Sequence, residues 1–140
     1  MNDFEFYLNE GKVKKQAPDK ELAKSLVNDA NERVGKVSKL DVKMFPKIAF
    51  ENVYDALREI LDALLTVSGY KSYSHEASIA YLKKYKIEDS VITELDNFRY
   101  KRNSSKYYGK GISEQDAVEI INFYKNHSGK LKSIINNKSG

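Results

Sequence analysis

A chain of 140 residues with 41% hydrophobic and 31% charged side chains reads as one soluble globular domain, long enough to bury a core. It contains no cysteine, which excludes a disulfide framework, a thiolate zinc site and a cysteine nucleophile, and fits a cytoplasmic setting. The net charge of +4 is modest, so the location of the excess matters more than its size.

The N-terminal MNDFEFYLNE is acidic and lacks the basic start and apolar run of a signal peptide. Residues 1–17 form an N-terminal arm or a short docking helix, with Phe4, Phe6, Tyr7 and Leu8 as its apolar side and Gly11 as its end. Lys12, Lys14 and Lys15 make a polar connector up to Pro18. Asp19 is the expected N-cap of a helix running to about Leu40, in which Ala23, Val27, Ala30, Val34 and Val37 keep a 4-3-4-3 spacing.

Pro46 suits the first turn of the next helix. That helix has one seam of Ala49, Val53, Ala56, Ile60, Ala63 and Val67, and a second of Phe50, Tyr54, Leu57, Leu61 and Leu64. Two apolar seams require two sets of neighbours, which makes it the central helix. Glu51, Asp55, Arg58, Glu59 and Asp62 interrupt its apolar run and exclude a membrane span. Gly69 stops it. Ser74 caps a shorter helix to about Lys84, with Ala77, Ala80 and Tyr81 inward.

Asp89 or Ser90 opens a helix that ends at Gly109 and Gly111. Ser113 and Asp116 resemble a capping box, followed by Ala117, Ile120 or Ile121, and Tyr124. Ser128 and Gly129 are expected to interrupt this helix. Leu131, Ile134 and Ile135 then pack as a final turn or two, and residues 136–140 form a frayed tail. No alternating strand pattern appears. The chain reads as an all-α, up-and-down bundle of four to five helices, with its domain at residues 18–135.

The charge concentrates in Phe98–Lys110, FRYKRNSSKYYGK, whose five cations have no acid among them. Val91, Leu95 and Phe98 set a helical seam, and the same alternation continues onto Arg102 and Ser105. A guanidinium on a core-facing line is costly unless paired, so either the seam opens into a polar cleft or the helix end is exposed. Asp55, Glu59 and Asp62 are the candidate partners for a purely structural Arg102. Arg99, Lys101, Lys106 and Lys110 read first as a solvated face. The interleaved Tyr100, Tyr107 and Tyr108 suit single-stranded RNA as well.

A connector reading Gly-Tyr-Lys-Ser-Tyr-Ser-His at 69–75, and a later helix ending Arg-Asn-x-x-x-Tyr-Tyr-Gly at 102–109, resemble the HEPN superfamily of small helical prokaryotic proteins. The resemblance spans about residues 46–127. It implies a homodimer whose two copies line one cleft, and a minimal nucleotidyltransferase as a frequent partner. Active members are metal-independent ribonucleases, often toxins of toxin–antitoxin pairs. Their signature is an arginine, a polar residue, and a histidine after four to six intervening positions. Arg102 and Asn103 match the first two. The histidine position falls on Tyr107, Tyr108 or Gly109, none of which is histidine.

Attack by a 2′-hydroxyl needs a proton acceptor, a role that imidazole fills near neutral pH. A phenol with a pKa of about 10 stays protonated there. The expectation is therefore a binding or regulatory module without cofactor or metal, which takes RNA, a nucleotide or a partner's phosphate. Arg99, Arg102, Asn103, Lys106, Tyr107 and Tyr108 are its candidate contacts. The alternative is a ribonuclease in which Arg102 acts with Tyr108 or with a displaced histidine, His75 or His127. A third reading is an interaction protein whose basic end docks an acidic partner.

Overall fold

The computed structural model describes residues 1–139. Its helices are α1 (Phe4–Asn9), α2 (Lys20–Val37), α3 (Pro46–Val67), α4 (His75–Ala80), α5 (Asp89–Tyr108) and α6 (Glu114–Ser139). A 3-10 turn over Tyr81–Lys84 extends α4. The architecture is the expected all-α bundle. No helix among the described residues is long and apolar enough to cross a membrane.

Local signals set most boundaries. Asp19 accepts a hydrogen bond from the Leu22 amide (3.0 Å), which caps α2. Pro46 occupies the first turn of α3, where its missing N–H costs no helical bond. Ser74 caps α4 through the Ala77 amide. Ser113 and Asp116 exchange hydrogen bonds in both directions (3.1 and 3.0 Å), a complete capping box for α6. Gly109, with φ 67°, closes α5 in a left-handed turn.

Both seams of α3 are buried, from Ala49 and Phe50 to Leu64 and Val67. The helix packs most extensively on α2 and α6, and its remaining side faces α4 and α5. Phe98 on α5 meets Phe50 and Phe123 edge-on, which ties α5 to α3 and α6.

Three expectations need correction. The connector after α1 contains a strand, β1 (Val13–Lys15), paired antiparallel with β2 (Tyr70–Ser72). Three-residue strands with one buried side chain, Val13, carry no readable alternation. The expected short docking helix is α1, with Phe4 and Tyr7 in the common core. Ser128 and Gly129 do not break α6, because Ser128 continues the buried stripe of Tyr124, Leu131 and Ile135. Burial of that stripe outweighs the roughly 1 kcal/mol helix cost of one glycine. Residues 136–139 are accordingly helical and not a frayed tail; Gly140 lies outside the described residues.

Candidate functional site: an arginine cleft beside the central helix

The seam of α5 runs inward as its spacing predicts, through Leu95 and Phe98 to Arg102 and Ser105. At Arg102 the seam turns polar and meets Tyr54, one wall of a narrow cleft. The Arg102 side chain is 13% exposed, and its nearest carboxylate is Asp55 on α3 at 3.9 Å. That is an ion pair at the edge of contact and not a hydrogen bond. Glu59 is taken instead by Arg33 of α2 at 2.6 Å, and Asp62 has no ion-pair or hydrogen-bond partner among the described residues. Arg102 lies over the Tyr54 ring, 5.2 Å from its centroid, so a buried phenol supports the guanidinium from below.

Tyr54 links this arginine to a histidine. Its hydroxyl lies 3.0 Å from His75 Nδ1 at the start of α4. Burial pushes the Tyr54 phenol up to about 12, against the opposing pull of Arg102, Arg58 and Arg99. Burial also pulls His75 down to about 4, and Arg58, Arg102 and Arg99 add to the effect. His75 is therefore neutral at physiological pH. The Tyr54 proton has no other acceptor among the described residues, so we assign the phenol as donor to Nδ1. The imidazole proton then sits on Nε2. In this state His75 offers a donor to a ligand.

Arg58 completes the group. It lines a narrow cleft with Tyr54, Asp62, His75, Ser78 and Leu95, and it forms no ion pair or hydrogen bond among the described residues. The free space of about 10 Å³ holds one water, so a larger ligand has to sit at the mouth. Tyr54, Arg58 and Asp62 recur every fourth residue along α3, which places them on one stripe.

The remaining candidates divide. Arg99 is buried and bound to Asp96 (2.7 Å) and Glu76 (3.4 Å), so it ties α5 to α4. Tyr7 of α1 donates to the same Glu76. Lys101 is held by Asp116 and Glu119 of α6. Arg99 and Lys101 thus depart from the solvated face read for them. Asn103 is partly buried, one residue beyond Arg102. Lys106 and Lys110 are exposed, as are Tyr107 and Tyr108, at 67% and 78%. Neither tyrosine makes an aromatic or side-chain hydrogen-bond contact among the described residues, so the structure does not bring them to the Arg102–Tyr54–His75 group. His127 stacks on Phe123 (ring centroids 4.7 Å apart) and borders an apolar cavity on the other side of Leu95. Ser105 Oγ is buried without a partner.

Sequence reasoning passed over Arg58 and treated Tyr54 as core. The available signal was the register of α3, which places Arg58 four residues after Tyr54 and four before Asp62. No protein-family model matches the chain, and no curated protein matches it. Fold and site together define an all-α bundle in which two lightly engaged arginines and a neutral histidine gather about Tyr54.

Proposed function

We propose that this protein is a HEPN-like module that binds the phosphate of RNA or of a nucleotide at Arg102 and Arg58, without efficient cleavage. The observation that carries the reading is the state of the two arginines. Arg58 has no partner among the described residues and lines the cleft of neutral His75, while Arg102 has one carboxylate at 3.9 Å and rests over Tyr54, one wall of that cleft. Structural arginines are normally satisfied by short carboxylate contacts, as Arg99 is here. Two guanidiniums left short of acceptors favour an anionic ligand. The Nε2–H of His75 adds a third donor, and Asn103 and Lys106 extend the polar surface. Tyr107 and Tyr108, exposed at the end of α5, are free to stack on bases.

The same geometry argues against efficient chemistry. With Nδ1 engaged by Tyr54 and the proton on Nε2, His75 has no nitrogen free to accept the proton of a 2′-hydroxyl. The second reading, a metal-independent ribonuclease, draws support from His75 bonding to the same Tyr54 on which Arg102 rests. It requires the opposite tautomer, in which Nδ1–H donates to the Tyr54 oxygen and Nε2 is free to accept the proton. A homodimer and a nucleotidyltransferase-type partner are proposals that belong to the HEPN reading.

Fluorescence anisotropy with a labelled single-stranded RNA tests the binding claim. Arg58→Ala is expected to weaken binding about tenfold or more, the effect of one charge-assisted hydrogen bond. Binding should also fall steeply with salt. Equal affinity of wild type and Arg58→Ala would overturn the reading.

A further inference from the structure

Asp62 sits between two clefts. On one side it lines the narrow cleft of Tyr54, Arg58 and His75. On the other it lines a larger, open cleft of about 480 Å³ between α2, α3 and the β1–β2 ribbon. Ala17, Leu22, Leu26 and Tyr70 give that cleft an apolar wall; Gln16, Thr66, Lys71 and Ser72 give it a polar rim, together with Asp19, whose carboxylate is engaged by the Leu22 amide. Leu22 is half exposed at the edge of this cleft. The volume lies in the range of small-ligand sites, with the expected mix of apolar wall and few polar groups.

The Asp62 carboxylate is the group shared by the two clefts, and it forms no ion pair or hydrogen bond among the described residues. It has two acceptor oxygens and no partner among the described residues. Burial pushes its pKa up to about 6, with Glu59 adding and Arg58 opposing, so the carboxylate is held at a cost that a donor-bearing ligand would relieve. Two parallel acceptors are matched by two parallel N–H donors on one edge. Among nucleobases, guanine presents that edge through N1–H and its 2-amino group. Adenine and cytosine place a ring acceptor beside a single amino group, and that acceptor would face the carboxylate. Uracil flanks its one N–H with two carbonyls.

The spacing fits a single nucleotide. Tyr54, beneath the Arg102 guanidinium, and Asp62 are eight residues apart on α3, about 12 Å along the helix axis. That is comparable to the reach from the phosphate of a nucleotide to the far edge of its base. We propose that the Asp62 cleft is a guanine-selective base site, which holds the base against Leu22 and Leu26 while the phosphate rests on Arg102 and Arg58. This inference rests on the phosphate-binding reading above and adds the identity of the base to it.

Calorimetric titration with guanosine, inosine and adenosine 5′-monophosphates and with ribose 5-phosphate separates the two claims. Wild type should bind the guanosine nucleotide about tenfold or more tighter than the adenosine nucleotide, the discrimination of one bidentate contact, with inosine between them. Asp62→Asn should erase that preference without weakening ribose 5-phosphate. The variant relieves a poorly solvated charge, so it should fold at least as well as wild type. Arg102→Ala should weaken all four ligands. Equal binding of the three nucleotides to wild type, with all of them weakened by Arg102→Ala, overturns the base site and leaves the phosphate reading standing. A guanine preference that survives Arg102→Ala undiminished, with no binding of ribose 5-phosphate, overturns the phosphate reading. Absence of binding by any of the four overturns the base site.

Discussion

His75 and Asp62 face the same cleft with opposite electrostatic problems, and their pH dependences oppose each other. His75, held near 4 against its ordinary 6.5, binds fewer protons folded than unfolded between those values. Its contribution to stability is complete above pH 6.5 and is lost as the pH falls toward 4. Asp62, raised from 3.8 to about 6, binds more protons folded than unfolded across nearly the same interval. Its contribution is complete at low pH and is lost as the pH rises through 6. In wild type the two largely cancel. Single variants unmask them. The stability of Asp62→Asn relative to wild type should be more favourable at pH 7 than at pH 4, by about 1–2 kcal/mol after solvent screening. His75→Gln should show the reverse sign. Denaturant unfolding at the two pH values reads both differences, and pH-independent differences would contradict the assigned environments.

Two glycines test the account of the elements. Gly129 lies mid-helix in α6, where an added Cβ would meet no atom within 4 Å, and its φ is not positive. Gly129→Ala should therefore stabilise the protein by about 0.5–1 kcal/mol. Gly69, at the end of α3, has φ 88°, and a Cβ there would lie 3.0 Å from the Gln16 carbonyl oxygen. That approach exists because the Gln16 amide donates to the Gly69 carbonyl (3.0 Å) where β1 leaves its pairing with β2. Gly69→Ala should destabilise by more than about 1 kcal/mol, with thermal unfolding as the readout for both variants. These positions also mark what was legible in the chain. Gly69, Asp19, Pro46 and the Ser113–Asp116 pair signal their boundaries through local chemistry that the fold preserves. Gly129 misleads, because its local penalty is small beside the long-range burial of Leu131 and Ile135. The β1–β2 pairing was invisible for a related reason: its partners lie more than fifty residues apart, and neither strand is long enough to show a period.

At the scale of the whole molecule, the bundle is periodicity made solid, whereas the site depends on which helix face meets which. The α5 register predicts that an arginine turns inward, and it does. Asp96, one turn before Arg99, is a local signal that Arg99 is the satisfied arginine, but its second partner, Glu76 on α4, and the light hold on Arg102 follow only from how the helices meet. Nor does spacing reveal that Tyr54 stands between Arg102 and His75, since the three lie on three different helices. The resulting group leaves two guanidiniums short of close carboxylate partners, and this is the basis for reading it as a phosphate cleft that does not cut.

The most direct test of that claim incubates labelled single-stranded RNA with wild type and with Arg102→Ala in EDTA, and scores bound and cleaved RNA in the same samples. The account predicts intact RNA bound by wild type and bound at least about tenfold more weakly by the variant. RNA cleaved by wild type and spared by Arg102→Ala would contradict it, and would make the cleft a ribonuclease site with His75 as the proton acceptor.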